Sequence, residues 1–213
     1  MSEFFLELFS EEIPAGLQQN SRNVLLESFQ KLFQEKKIEF KKNLSFSTPN
    51  RLIITFEGLS KEITQKAEEI KGPDINAPEK AIEGFLRSNE LNKKDLFRKK
   101  IEKREFYFIK KSPKKINTID LLEKYTPLIL DKLQWKKSMR WGSYSLSWAR
   151  PLKSILAVFD GKSLGFKFHH LVCSNTTFID KEFEDQKKIF KDFKSYKVFF
   201  KQSGIIIDHN LRK

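Results

Sequence analysis

Residues 4–14 read Phe4-Phe5-Leu6-Glu7-Leu8-Phe9-Ser10-Glu11-Glu12-Ile13-Pro14, and the fold follows from how that stretch divides. Phe4 to Phe9 alternates bulky and acidic residues, as a strand does. Ser10 to Pro14 then works as a helix entry, with Pro14 placed where its missing N–H costs nothing. Beyond it, Leu17, Val24, Leu25, Phe29, Leu32 and Phe33 fall on one face at helical spacing. That helix should end near Lys36-Lys37, where cations suit the dipole.

Further out, Leu44–Ser47 and Leu52–Phe56 are strand candidates. Pro49, in Thr48-Pro49-Asn50-Arg51, cannot join a continuous ladder, so a turn or bulge separates them. Lys71-Gly72-Pro73 marks a loop, and a short helix from Pro78 is expected to bury Ala81, Ile82, Phe85 and Leu86. Phe106 to Ile109 reads as a strand. Asn117 or Thr118 caps a helix through Leu121, Leu122 and Tyr125, with a kink or a second short helix expected at Pro127. Two strands follow, Ser154–Phe159 and Leu164–Val172, joined by a turn at Asp160-Gly161. A last helix over Ser195–Ser203 ends at Gly204, and Ile205–Ile207 begin another buried element. This order implies an α+β fold, with mixed or antiparallel sheets and packed helices. Two subdomains are expected, 1–133 and 134–213, because after Leu133 the composition turns to Trp135, Trp141, Tyr144 and Trp148 among Lys136, Lys137, Arg140 and Arg150.

The 213 residues suffice for one large or two small domains, and 39% apolar content, led by 21 phenylalanines, supports a rigid core. The formal net charge is +13, which makes polyanions natural partners. Much of it is Lys in a chain also rich in Ile, Asn and Phe, a composition that AT-rich coding alone can produce. Residues 93–115 are the most basic, with eleven Lys or Arg against three acids. The single cysteine, Cys173, fits a reducing compartment. The longest clean apolar run, Ile155 to Phe159, is far short of the ~20 residues of a membrane helix. With no basic leader at the N-terminus, the expected location is cytoplasmic.

Catalytic patterns are missing from the sequence. It has neither a phosphate loop nor a dinucleotide fingerprint. One cysteine and three histidines do not build a standard zinc cage. His169 and His170, adjacent on an expected strand, would face opposite ways. Lys137-Ser138-Met139-Arg140-Trp141-Gly142 sets two cations beside an indole. Arg can pair bidentately with phosphate and Trp can stack on a base, although from spacing alone Trp141 as a core anchor with Arg140 in an internal ion pair is the favoured reading. Arg150 precedes Pro151 at a strand entry, in reach of a phosphate. Asn175-Thr176-Thr177 follows a strand end, where short polar side chains close turns or meet a partner.

The chain resembles the glycyl-tRNA synthetase β subunit of the bacterial two-subunit type. Phe5-Leu6-Glu7-Leu8 before Ser10-Glu11-Glu12-Ile13-Pro14 is similar to that family's opening, and Thr48-Pro49-Asn50-Arg51-Leu52 to its Thr-Pro-Arg-Arg-Leu. Lys71-Gly72-Pro73, Ala81, Gly84-Phe85 and Arg87 fall in place, as do Arg150-Pro151 and Asn175-Thr176-Thr177. Lys137 to Gly142 matches without change and is the most specific element. Asn50 replaces an arginine, and Phe178 to Phe183 replaces a basic turn, so phosphate contacts made there are in question. The resemblance covers about the first third of the family's length and implies a truncation or gene fragment.

What the resemblance implies is a B3/B4-like module, similar to that of phenylalanyl-tRNA synthetase, within a glycine–tRNA ligase. The α subunit would use ATP with Mg, this chain binding no cofactor or metal and holding no catalytic residue. Partners would be the α subunit, in an assembly of two α and two β chains, and tRNA. Arg51, Lys137, Arg140, Trp141, Arg150 and Asn175 are the candidate RNA or partner contacts. A stand-alone RNA-binding module, or a trans-editing deacylase, is the alternative.

Overall fold

The computed structural model describes residues 2–65, 68–89, 92–101, 104–111, 114–179 and 188–212. In chain order the elements are β1 (Ser2–Ser10), α1 (Ala15–Glu35), β2 (Lys42–Thr48), β3 (Arg51–Leu59), β4 (Glu62–Gln65), β5 (Glu68–Asp74), α2 (Glu79–Ser88), β6 (Leu96–Ile101), β7 (Arg104–Lys111), β8 (Lys114–Asn117) and α3 (Thr118–Asp131). There follow β9 (Leu152–Phe159), β10 (Lys162–Ser163), β11 (Lys167–Phe168), β12 (Leu171–Val172), β13 (Thr176–Thr177), β14 (Lys188–Ile189) and α4 (Phe193–Gln202). The fold is α+β, with antiparallel sheets.

Two compact units form, one from Met1–Ile63 with Asn117–Lys213, the other from Thr64–Ile116. The boundary expected at 133/134 does not coincide with this division. β9, from beyond it, pairs along β1, and so belongs to the same unit as the first strand.

The larger unit is built on a five-stranded sheet in the order β10-β9-β1-β3-β2. β1 lies at its centre and is buried on both faces. Alternation then assigns each side chain. Phe4, paired with Phe56, meets Phe29 of α1 at 5.2 Å between ring centroids, and Phe33 stands edge-on to Phe56 at 4.8 Å. On the opposite face, Phe5, Phe46, Ile53, Leu156 and Val158 pack against Phe193, Tyr196 and Phe200 of α4. Both of these helices end in a left-handed residue, Lys37 (φ 56) and Gly204 (φ 76). At each end the next amide reaches back, Ile38 to the Phe33 carbonyl and Ile205 to the Phe200 carbonyl, both 2.8 Å.

Several expectations change. α3 is one helix with Pro127 inside it. Thr118, Leu122, Thr126 and Leu130 form a stripe at four-residue spacing, all buried, and that packing offsets the ~3 kcal/mol an interior proline costs. Leu164–Val172 is not one strand: the chain reverses at His169-His170, with His169 at φ 50, so β11 and β12 form a small hairpin. The histidines are therefore turn residues. Ile205–Ile207 have no regular structure; Ile207 is buried and Ile206 exposed.

In the smaller unit β5, β7 and β6 form a three-stranded sheet with α2 against β5. Lys71-Gly72-Pro73 lies within β5 rather than in a loop, and the register shifts between Lys71 and Asp74, where Pro73 offers no N–H. A Cβ at Gly72 would stand 2.7 Å from the Phe85 ring, so the backbone approaches that ring as only glycine allows. Of the helix residues expected inside, Leu86 is buried, Ile82 and Phe85 are partly covered, and Ala81 is exposed.

Phe29→Ala should lower the stability of the chain by about 3–5 kcal/mol in chemical denaturation. A loss under about 1 kcal/mol would mean that α1 does not hold its face of the sheet.

Candidate nucleic-acid interface

The sheet delivers three separate stretches to one end. Where β1 finishes, the Ser10 amide donates to the Asn50 carbonyl (2.9 Å) and the Ile13 amide to the Pro49 carbonyl (2.6 Å). On the other side the Glu11 amide donates to the Pro151 carbonyl (2.9 Å). Pro49-Asn50 is the two-residue connection of the β2–β3 hairpin, with Thr48 paired to Arg51. Ser10–Pro14, Thr48–Arg51 and Arg150-Pro151 are thus stitched together by backbone bonds.

Arg150-Pro151 closes the loop between α3 and β9. Met139 and Trp148 exchange backbone bonds of 2.8 and 3.1 Å across it, and Ser147 donates to Ser138 (2.9 Å). Trp148 is buried, with Trp135 at 5.0 Å on one side and Phe168 at 6.0 Å on the other. This indole, and not Trp141, anchors the loop. Lys136, Lys137, Arg140 and Arg150 stay exposed on it, Trp141 is half-buried, and the reversal uses Gly142 at φ 55. An open cleft of about 510 Å³, lined by Glu11, Glu12, Pro14, Met139, Arg150 and Pro151, marks where loop and β1 end meet. Glu11 faces Lys153 at 2.6 Å there.

Arg51 departs from the role expected of it. Its side chain is 1% exposed and lies 3.2 Å from Glu7, itself fully buried. The guanidinium also donates to the carbonyls of Phe178 and Ile179, and it sits over the rings of Phe9 and Phe200 at 4.4 and 4.7 Å. Such a group is closed to RNA and to partners. Pairing explains its place: Phe9 lies opposite Arg51 and Glu7 opposite Ile53, so the two charges are diagonal neighbours on one face. Thr177 and Tyr196 donate hydroxyls to the same carboxylate. Burial pushes Glu7 upward, while the Arg51 charge and these bonds pull it down. Burial and the neighbouring carboxylate push the Tyr196 phenol well above its usual value.

The remaining expected residues divide. Lys137, Arg140 and Arg150 are exposed and share the loop with Trp141. Asn175 lies elsewhere, half-buried, with its carbonyl accepting from the Phe190 amide (2.8 Å) as part of the β13–β14 pairing. Of the run Phe178 to Phe183, Asp180–Phe183 lies outside the described residues. Glu7 and Tyr196 were not singled out in the sequence. The signal for Glu7 is a carboxylate between Phe5 and Phe9 on one strand face. Cys173 is buried and its thiol pushed up to about 12 by desolvation. Among the described residues no group of three His, Cys, Asp or Glu side chains is arranged to hold a metal ion.

Residues 4–213 match the family model described as glycyl-tRNA synthetase beta subunit. The glycine–tRNA ligase beta subunits of Rickettsia typhi, Rickettsia prowazekii and Rickettsia canadensis are 39%, 38% and 37% identical over 213 residues. Each alignment covers all of this chain and 32% of the relative, so the chain spans about a third of the length of the curated relatives it matches.

Glu7→Gln keeps the shape but leaves Arg51 buried without a counter-charge. The expected cost is about 3–5 kcal/mol at neutral pH, measured by denaturant unfolding, with much of it recovered when Arg51→Met is added. A cost below about 1 kcal/mol would refute the assigned role.

Proposed function

The chain belongs to the glycyl-tRNA synthetase beta subunit family, and from that premise we propose that it is the N-terminal part of a glycine–tRNA ligase β subunit, serving subunit assembly and tRNA positioning. In this reading the α subunit uses ATP and Mg to activate glycine, in a cytoplasmic enzyme of two α and two β chains. This chain contributes no reacting group. Its part is geometric: a polyanion held in register on one subunit brings its acceptor end to a site on another.

The observation that carries the reading is the exposed loop from Trp135 to Arg150. Lys137 and Arg140 project from a segment closed by the Met139–Trp148 bridge and fixed by a buried indole. Cations on a rigid support lose little freedom when they meet phosphates, and each one that neutralises a phosphate releases counterions. Arg150 sits instead at the cleft with Glu11 and Glu12, a mixed-charge surface better suited to a protein partner such as the α subunit.

A second reading, an RNA-binding module that acts without a companion, draws on the smaller unit. Arg98, Lys100, Arg104 and Lys110 are exposed on its paired strands β6 and β7.

Filter binding of glycine tRNA by the whole chain separates the two. Between about 50 and 200 mM salt, affinity should fall steeply, and Lys137→Ala with Arg140→Ala should weaken binding while reducing the salt slope by about two. If those substitutions leave binding unchanged while charge reversal at Arg98 and Lys100 abolishes it, the second reading replaces the first. Affinity that is flat with salt contradicts both.

A further inference from the structure

Tyr144 lies on the same loop and is 45% exposed. Its ring lies flat on the His170 imidazole, with centroids 3.6 Å apart and planes inclined by 8°. That contact is held by the residue adjacent to each ring: Ser145 Oγ is 3.3 Å from His169 Nδ1, and His169 Nε2 is 3.4 Å from Asp131 Oδ1. Loop and histidine turn are therefore pinned together, Ser145 to His169 and Tyr144 to His170. Trp141 stands nearly perpendicular to His170, at 6.0 Å and 77°. The Tyr144 amide donates to the Trp141 carbonyl (3.3 Å), so the reversal at Gly142 sets the two rings.

We propose that Tyr144, backed by His170, is a stacking platform for an unpaired nucleobase of RNA, with the flanking phosphates meeting Arg140 and Lys137. The proposal rests on the tRNA-positioning reading and adds which part of the RNA is held. A phenol already ordered by stacking on one side gives up little further freedom when a base covers it. In the interior of a duplex both faces of each base are covered by neighbours, whereas an unpaired nucleotide can offer its face without unstacking a helix. The surroundings favour RNA over an apolar protein surface, because Lys136, Lys137 and Arg140 are exposed on the same loop as Tyr144.

The test compares two fluorescein-labelled RNAs at one fixed salt concentration, a blunt duplex and the same duplex carrying a four-nucleotide unpaired tail. Wild-type chain should prefer the tailed RNA. Tyr144→Ala should weaken tailed binding about tenfold, leaving blunt binding unchanged, and Tyr144→Phe should retain the preference. An unaltered thermal midpoint establishes that the alanine variant is folded. Equal loss on both RNAs overturns the proposal. So does tailed binding unaffected by Tyr144→Ala while Lys137→Ala with Arg140→Ala still weakens it, and in that case the positioning reading survives. Loss of α-subunit co-purification with RNA binding intact makes the rings a protein contact and overturns it as well. Insensitivity to all three substitutions removes both readings together.

Discussion

A guanidinium and a carboxylate, both withdrawn from water on the central strands of one sheet, set the terms for the larger unit. Neither Glu7 nor Arg51 is tolerable alone in that position, since an unpaired buried charge costs several kcal/mol. Together they require that β1 and β3 keep one register, because a slip of one residue would send the two side chains to opposite faces. They also recruit what lies over them. Tyr196 brings α4 onto the sheet, Thr177 fixes β13, and the Phe178 and Ile179 carbonyls accept from Arg51. The cation's flat faces lie on Phe9 and Phe200, so even its delocalised charge is covered.

The consequence reaches the surface. Arg51 opens β3 directly after Pro49-Asn50, and Phe9 directly precedes Ser10 on β1. Fixing these two residues against each other fixes the end of the sheet, where the amides of Ser10, Glu11 and Ile13 find their acceptors. The Trp135–Arg150 loop meets that end beside Glu11, Glu12 and Pro14. A buried pair thus bears on where exposed cations stand.

Periodicity made much of this legible. The strand at Phe4–Phe9, the helix with Phe29 and Phe33 inward, and the last helix closing at Gly204 are local patterns, and the structure contains all three. What failed depended on distant partners. An arginine in a proline-bearing turn reads as surface until Glu7, 44 residues earlier, is placed diagonally opposite it. Pro127 reads as a break until the stripe from Thr118 to Leu130 is packed. The division into compact units is not legible locally, because the strand β9 that pairs with β1 lies about 150 residues after it. The loop's charged residues were legible as candidates, but Trp148 as its anchor and Tyr144 as its exposed ring were not, since both depend on contacts with β11 and the histidine turn.

Native-state hydrogen exchange tests the central claim most directly. If the buried pair fixes the end of the sheet, the amides of Ser10, Glu11 and Ile13 should exchange as slowly as those in the middle of β1, opening only with global unfolding. Exchange orders of magnitude faster at these three positions, with the middle of β1 still protected, would contradict it.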